Sequence, residues 1–543
     1  MKKVIAFLVL AVMIFTAASC TKPSDNSGDM SDYARRKNKI TFSYYAGGYG
    51  AEWVNAVTKD YMDNVDTELY IEIKKSSDNI TAKSNIESNV GIADLYQIEA
   101  DMFDLSDSLE DLTDFYENTS VYGENVKIKN KMPAYAINYY NENGRYYQLP
   151  QTAMTGFNWV YNKTLLDKTF GKDKYVLPKT TNEMLEFGAK CFEKGVFLTA
   201  AALADTAGGD YTQYALMNWF AQMTGLDGWN NFNSGLVKRD GKLVLSEAAP
   251  YVLSDNKTAI ESTYKFAEKL YGKAEGDEVQ YLHKNSKLFE YKDLDKVFYG
   301  GKFRAQTLPG IAMCYVGGWL ETEVKEYFEE GVIQKQEVYA MPSPVISDIV
   351  KTLENKNMTD AELSQIIGEI DGGASSSTLC SQNDFDKISE ARHMVTENIC
   401  RCFVIPKGAK NKTDAKKFLA YLVSDNAQKI AAKNTNGISV LPYGYLPTDS
   451  DMGFAISDFT KSVNKLTKND KVKIVDSACL DKPFKKEVNI MWFYDIKNTS
   501  ALANNIYAGT ATGGNEIYQM TYDYYNGMWK TLIEKYKKSV GIS

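Results

Sequence analysis

Residues 39–50, KITFSYYAGGYG, form a strand pattern that ends in a glycine turn. Apolar residues alternate with polar ones up to the turn, which is the period of a β-strand. Helical spacing of apolar residues follows over residues 52–64, and period two returns over residues 69–73. A strand, a helix and a second strand in this order predict a βαβ unit, and therefore an α/β fold that begins with a parallel sheet.

The next buried strand is predicted at residues 91–98, GIADLYQI, and it is followed by Glu99 and Asp101. In open α/β sheets, ligands usually bind beyond the carboxyl ends of the strands. Both carboxylates are therefore candidates for ligand contact.

The first nineteen residues have the composition of a signal peptide. Lys2 and Lys3 precede an apolar run over residues 4–18, which is too short to remain as a span across roughly 30 Å of hydrocarbon. The following Ala-Ala-Ser-Cys, residues 17–20, resembles the lipobox of bacterial lipoproteins, which implies that Cys20 is lipidated and begins the mature chain. An ordinary secretion signal with an incidental cysteine is the alternative. We predict a signal peptide at 1–19 and a flexible tether at 20–37.

Composition excludes several functions. Without Lys2 and Lys3, 60 basic side chains face 70 acidic ones with no basic block, so we predict no nucleic-acid partner. The six cysteines after Cys20 are widely scattered, so we predict no metal site, although some disulfide pairing stays open. The only histidines, His283 and His393, are not near a nucleophile motif, so we predict neither catalytic residues nor cofactors.

Three groups of short motifs follow one another along the chain. They are GRYYQLP at 144–150 with FNWVYNK at 157–163 and PKTTNE at 178–183; FYGGK at 298–302 with GIAMCYVGGW at 310–319; and VIPKGAKNK at 404–412 with GISVLP at 437–442. In this order, they resemble the family 1 extracellular solute-binding proteins of ABC transporters. The chain departs from the family pattern at Thr181, where the family has a tryptophan, and in about fifty extra residues before Arg401.

The resemblance implies a periplasmic-binding-protein-like fold of type II, with two hinge-linked α/β lobes and a ligand cleft between them. On this basis we predict a first lobe at 38–148 and 395–437, and a second lobe at 149–344 and 438–543. Residues 345–394 are an insertion whose role stays open among a lid, a permease contact and a surface addition. Within it, Thr359 to Glu362 predict the capped start of a helix. Near the end of the chain, one apolar helical stripe is predicted through Ile517, Met520, Tyr524, Met528 and Leu532.

The family also implies a function: capture of a carbohydrate, in particular an oligosaccharide, by a monomeric lipoprotein of an ABC importer. The protein would be anchored outside the cytoplasm through Cys20 and would deliver its ligand to the permease. The 13% aromatic content suits sugar recognition, because aromatic faces pack on the C–H faces of sugars. The predicted ligand-binding residues are Trp319, Gly318, Glu99, Asp101, Tyr44, Tyr45, Tyr49, Asp210, Tyr211 and Trp219.

Other functions stay open at this point. An extracellular carbohydrate-active enzyme also needs an aromatic cleft, but among the 70 acidic residues no local motif identifies an acid and its partner. A binding protein for a peptide, amino acid or polyamine, or a structural surface protein, is the remaining alternative.

Overall fold

The computed structural model describes residues 30–45, 47–76, 79–98, 102–151, 156–204, 211–276, 278–397, 401–476, 506–509 and 513–541. The predicted signal peptide, Cys20 and most of the tether lie outside these ranges. None of the described helices is both long enough and apolar enough to cross a membrane.

The described strands form two five-stranded sheets and one hairpin. They are β1 (Asn38–Tyr44), β2 (Leu69–Lys75), β3 (Leu95–Ile98), β4 (Leu149–Pro150), β5 (Phe157–Asn162), β6 (Leu236–Arg239), β7 (Lys242–Leu245), β8 (Met313–Gly317), β9 (Val338–Met341), β10 (Met394–Glu397), β11 (Cys402–Val404) and β12 (Lys473–Asp476).

Helices cover the sheets. In chain order they are α1 (Met30–Tyr33), α2 (Glu52–Asn64), α3 (Asn79–Ser88), α4 (Thr113–Asn118), α5 (Ile128–Lys131), α6 (Ala134–Tyr139), α7 (Lys163–Phe170), α8 (Thr181–Glu193), α9 (Thr212–Asn233), α10 (Ala249–Asp255), α11 (Lys257–Tyr271), α12 (Tyr291–Phe298), α13 (Leu320–Glu323), α14 (Lys325–Glu329), α15 (Asp360–Asp371), α16 (Gln382–Arg392), α17 (Lys412–Leu422), α18 (Asp425–Lys433), α19 (Asp449–Met452), α20 (Asp458–Thr467) and α21 (Gly514–Ser539). Short 3₁₀ helices lie at Phe103–Ser108, Ser286–Leu288 and Ser347–Thr352.

The first sheet has the order β2-β1-β3-β11-β4 and confirms the βαβ opening. β1 pairs in parallel with β2 and with β3, whereas β11 runs antiparallel to β3 and β4. α2 buries Trp53, Val57 and Tyr61, which recur at helical spacing. The α/β fold class follows from these local patterns.

The second sheet has the order β12-β10-β5-β8, and β9 also pairs with β5. β5 is antiparallel to β8, β9 and β10, and only β10 and β12 are parallel. β8 is buried along its whole length, so both faces of the sheet are covered there.

The chain crosses between the sheets three times. It leaves the first sheet after β4 and returns to it between β10 and β11. The third crossing lies between α18 and α20, because α18 packs on α2 of the first lobe and α20 packs on β9 of the second sheet. The predicted return at residue 395 differs from the observed one, because β10 pairs with β5 and β12 of the second sheet. The alternation of apolar and polar residues predicts a strand here but does not say which sheet it joins, since both sheets contain strands with which it could pair.

The predicted insertion at 345–394 folds onto the second lobe. Thr359 caps α15 through a reciprocal hydrogen-bond pair with Glu362, as its sequence predicts. Arg392, at the end of α16, pairs with Asp371 at 2.7 Å and donates to the Ser343 carbonyl. Within the described part of the chain, the hydrogen bonds of this segment all stay in the second lobe.

α21 docks on α10 and α11, but with a different face from the predicted one. The sequence pattern suggested a stripe through Tyr524 and Met528, which are 37% and 36% exposed. The buried side chains lie one position further along, at Tyr525 and Trp529, and the Trp529 indole donates to the Ser246 carbonyl at 3.1 Å.

The same glycine-to-alanine substitution, made separately at two positions of α21, tests this docking. A Cβ on Gly514 would lie 2.4 Å from the Glu261 carbonyl oxygen of α11, so Gly514→Ala is expected to reduce the free energy of unfolding by about 1–3 kcal/mol. Gly527→Ala meets no atom within 4 Å and should instead stabilise the helix by up to about 1 kcal/mol. Urea denaturation measures both. Equal effects would contradict the observed docking.

Candidate interlobe binding site

Trp319 stands at the end of a buried strand. β8 ends at Gly317, and Trp319 directly precedes α13. A Cβ on Gly317 would lie 2.3 Å from Trp319 Cε2, so the indole folds back over this glycine. The Gly318 amide donates to the Gly156 carbonyl at 3.0 Å. The Gly-Gly-Trp sequence therefore fits a tight turn that fixes the indole.

Three aromatic rings and one cation surround Trp319. Tyr49, Phe157 and Tyr211 approach edge to face at centroid distances of 5.7, 5.2 and 6.2 Å. The Arg401 guanidinium carbon lies 5.3 Å from the ring centroid, in the range of a cation–π interaction. Trp319 is 5% exposed as a result.

The glycine turn of the first lobe makes direct contact with the second lobe. A Cβ on Gly48 would lie 2.5 Å from Trp319 Cδ1, so a larger residue does not fit there. Glu52, at the start of α2, forms a 2.8 Å ion pair with Lys325 of α14. The described conformation thus brings the two lobes together at Trp319.

The tyrosines predicted around this turn have different environments. Tyr49 lies against Trp319, as described above. Tyr44 is 3% exposed, and its hydroxyl donates to the Gly50 carbonyl at 2.7 Å and accepts from the Trp53 indole at 3.0 Å, so it holds the turn from inside. Tyr45 is half-buried, and its amide donates to the Gln97 side chain at 3.1 Å.

Trp219 lies in the core, and this corrects its prediction as a ligand contact. It is 0% exposed, its ring stacks on Trp159 at 6.1 Å, and its indole donates to the Pro344 carbonyl at 3.2 Å. The neighbouring prediction, Tyr211, does lie beside Trp319. Glu99, Asp101 and Asp210 lie outside the described residues.

Sequence reasoning missed Arg401 and a buried amide pair. Gln97, on β3, donates to Gln151 at 3.1 Å and so links the first sheet to the crossing after β4. The Arg401 carbonyl accepts from the Gln151 amide and the Tyr140 hydroxyl, both at 2.9 Å. A glutamine within the apolar strand β3 was a usable sequence signal for the Gln97–Gln151 hydrogen bond. No local pattern marks Arg401, because its partner is 82 positions away along the chain.

Two acidic residues of the second lobe lie behind Trp319. Burial raises the pKa of Glu323 to about 7, while hydrogen bonds with Asp295 and the Trp319 indole and the charge of Arg401 limit the rise. Burial and the proximity of Glu323 raise the pKa of Asp295 well above its usual range. Desolvation likewise raises the pKa of Tyr211. This wall of the site is therefore poorly hydrated; it carries little charge below neutral pH and gains charge as Glu323 ionises near pH 7.

Neither a metal centre nor a disulfide is found among the residues described. No group of three His, Cys, Asp or Glu side chains there is arranged to hold a metal ion. Cys191, Cys314 and Cys380 are free thiols.

No protein-family model and no curated protein sequence matches the chain. Solved structures do match over nearly the whole length. The apo-form of RafE from Streptococcus pneumoniae aligns with a TM-score of 0.56 at 12% identity, covering 91% of this chain and 98% of that one. The GacH receptor of Streptomyces glaucescens aligns with a TM-score of 0.52 at 14% identity, covering 91% of this chain and 98% of that one. The substrate-binding protein Lmo0181 from Listeria monocytogenes aligns with a TM-score of 0.53 at 12% identity, covering 93% of this chain and 100% of that one.

The chain has a periplasmic-binding-protein-like fold. The predicted fold class is thereby confirmed, including its two α/β halves with a sheet in each. At these identities the likeness establishes the fold and leaves the ligand to be argued from the site.

The paired acids predict a pH dependence of stability. A carboxyl group whose pKa is raised by folding stabilises the protein fully below its ordinary pKa, near 4, and this contribution is lost as the pH rises through the folded value. We expect the free energy of unfolding to fall between pH 5 and 8 because Glu323 ionises near pH 7. Asp295→Asn removes one acid of the pair and should reduce this fall by on the order of 2 kcal/mol in urea denaturation.

The matched control is Asp293→Asn on the same helix, where the carboxylate contacts solvent and pairs with Lys296 at 3.2 Å. It should leave the pH dependence nearly unchanged. If both variants keep the parent's pH profile, the two buried acids do not have the raised pKa values described above.

Proposed function

We propose that the protein is the substrate-binding lipoprotein of an ABC importer, which captures a carbohydrate between its lobes and delivers it to the permease. The fold supports this proposal, because RafE is known in complex with raffinose, GacH with acarbose and Lmo0181 with cycloalternan. Those ligands are all oligosaccharides or close analogues, so we propose an oligosaccharide here. The protein binds its ligand without turnover in this proposal.

The position of Trp319 is the observation that carries the proposal. A sugar needs a flat apolar surface for its C–H face, and Trp319 supplies the largest ring at the junction of the two lobes. Covering about 50 Å² of it contributes only about 1.3 kcal/mol, so further contacts are required. Tyr49 and Tyr211 are the neighbouring rings. Gly318 remains a candidate contact from its position directly before Trp319.

Access to Trp319 requires movement, because the ring is 5% exposed in the described conformation. Separation of the lobes breaks the Tyr49 contact and the Glu52–Lys325 ion pair, and displacement of Arg401 uncovers the ring face. We therefore propose that ligand enters an open state and that closure follows. Ligand favours closure only through contacts that exist in the closed state alone.

The polar contacts of the site are proposed as well. Glu99, Asp101 and Asp210 remain candidates for hydroxyl binding from their sequence positions, and Tyr45 lies on the turn beside Tyr49. Tyr44 and Trp219 are left out, because both are buried and hydrogen-bonded within the protein. The proposed lobes are 38–150 with 401–437 and 151–397 with 438–543, because β4 pairs within the first sheet.

Trp319→Ala tests the site directly. We expect sugar affinity to fall at least about tenfold, because the apolar surface and its neighbouring rings no longer form one wall. Isothermal titration against mono- and oligosaccharides measures the loss. Trp219→Phe is the matched control and should leave affinity unchanged, since its indole serves the core. Parent-like affinity of Trp319→Ala, or hydrolysis of the added oligosaccharides, would exclude the proposed role.

The membrane anchor is a separate part of the proposal. We propose that Cys20 carries the lipid and holds the protein on the outer side of the cell membrane, beside the permease, as a monomer. Cys20→Ser should abolish incorporation of an alkyne fatty acid and leave the precursor uncleaved, as mass spectrometry of the N-terminus would show. Cys191→Ser, at a buried free thiol, should keep both label and cleavage. A labelled Cys20→Ser protein would refute the lipobox.

A further inference from the structure

The first lobe has a cavity of about 480 Å³ on its outer side. We call it the outer cavity; it is lined by Tyr61, Asp66, Asp114, Phe115, Tyr122 and Lys416, together with smaller neighbouring side chains. Three segments build it: the end of α2, α4 with the turn that follows, and the first half of α17. All of its lining residues lie in the described part of the chain.

The outer cavity is separate from Trp319. α2 starts at Glu52, which pairs with Lys325 next to the interlobe site, and its other end reaches the cavity through Tyr61 and Val65. A helix of 13 residues is about 20 Å long. A ligand in the cavity therefore does not touch the proposed cleft.

Tyr61 offers an unused polar group to the cavity. Its side chain is 1% exposed, yet its hydroxyl makes no hydrogen bond with any described residue. Burial and the nearby carboxylates of Asp66 and Asp414 raise the pKa of Tyr61, so the group remains a neutral donor. The hydroxyl faces the cavity and its solvent, so a hydroxyl of a bound ligand can take the place of water as its hydrogen-bond partner.

Two carboxylates that line the cavity, those of Asp66 and Asp114, each accept a hydrogen bond through only one of their oxygens. Asp66 accepts the Glu68 amide through one oxygen at 3.2 Å, and Asp114 accepts the Asn118 side chain through one oxygen at 2.7 Å. The second oxygen of each has no hydrogen-bond donor among the described residues. The lysines of the cavity are already paired, Lys416 with Glu110 at 2.8 Å and Lys417 with Asp414 at 3.0 Å. The carboxylate oxygens of the cavity that accept no hydrogen bond can therefore accept from hydroxyl groups of a ligand.

The walls of the outer cavity are aromatic. Tyr61 and Tyr122 both pack against Tyr421, at centroid distances of 5.2 and 5.9 Å, and Phe115 also lines the cavity. Tyr122 is 47% exposed, which is unusual for so large a ring and leaves it open to an incoming group. Its contact with Tyr421 holds it in place, so little side-chain freedom is lost on binding.

We propose that the outer cavity is a second saccharide-binding site, which holds one sugar residue and is independent of the interlobe cleft. The aromatic rings cover the apolar face of the sugar. The Tyr61 hydroxyl and the free oxygens of Asp66 and Asp114 bind its hydroxyls. A fully apolar ligand would leave these polar groups unsatisfied, and a diamine would face the two paired lysines.

Saturation-transfer NMR on the full mature chain tests this site, with raffinose, maltotriose and N-acetylglucosamine as sugar probes and putrescine as an amine probe. The Trp319→Ala background removes the cleft signal, and at least one probe is expected to keep a millimolar signal there. Adding Tyr61→Phe should weaken that binding by about fivefold, the loss of one hydrogen bond, without lowering the melting temperature. Tyr122→Ala, at an exposed ring, should remove the signal, whereas Tyr70→Phe on β2 should keep it.

Each outcome decides the proposal. If none of the three sugars gives a signal in Trp319→Ala, or if the signal survives both Tyr61→Phe and Tyr122→Ala, the outer cavity is not a sugar site. A signal lost with Trp319→Ala alone supports the interlobe site and overturns this one. A putrescine signal that Tyr61→Phe removes, without any sugar signal, would assign the cavity to amines. A sugar signal that persists in Trp319→Ala and weakens when Tyr61→Phe is added supports the outer site, whether or not the interlobe proposal holds.

Discussion

Close packing around one indole ring connects the two halves of this protein. Gly317 on the second lobe and Gly48 on the first both lie so near Trp319 that neither position has room for a Cβ. The ring edges of Tyr49 and Phe157 complete the contact from the two sides. Protein interiors are packed so closely that a change of even one methylene group disturbs them. We therefore expect this junction to be either fully formed or separated, with few stable arrangements between these two states. The relative position of the lobes therefore depends on what occupies the space around Trp319.

The crossings of the chain suit such a junction. Three separate segments join the sheets, and the described part of each is held by specific hydrogen bonds. The Arg401 carbonyl accepts from Gln151, which joins the second crossing to the first. Tyr443, from the third, donates to the Pro150 carbonyl at 2.5 Å. These bonds hold the hinge ends at fixed distances from one another. Arg401 is thus placed over Trp319 by the same hydrogen bonds that order the hinge, and lobe position and ring access are coupled.

The sequence predicted what depends on local patterns. The opening βαβ unit and the capped helix at Thr359 were confirmed, because their signals lie within a few neighbouring residues. The assignment of β10 to a sheet and the buried face of α21 differed from prediction, because both are decided by partners more than a hundred residues away in the chain. Trp219 and Trp319 show the limit most directly. Both were predicted as ligand contacts, yet Trp219 is enclosed by the core and Trp319 lies at the lobe junction.

The acids behind Trp319 add an electrostatic constraint to the packing. While Glu323 and Asp295 are protonated, this wall needs no counter-charge, and an uncharged wall suits a neutral ligand. When Glu323 ionises near pH 7, the cations whose charge can compensate it are Lys292 and Arg401. Arg401 acts most strongly when it lies over Trp319, in the arrangement described here. Ionisation thus favours retention of Arg401 on the ring, and a sugar that needs the ring face must displace it. In the proposed function, Arg401 and the sugar compete for one surface, so the charge state of Glu323 and the occupancy of the site would be linked.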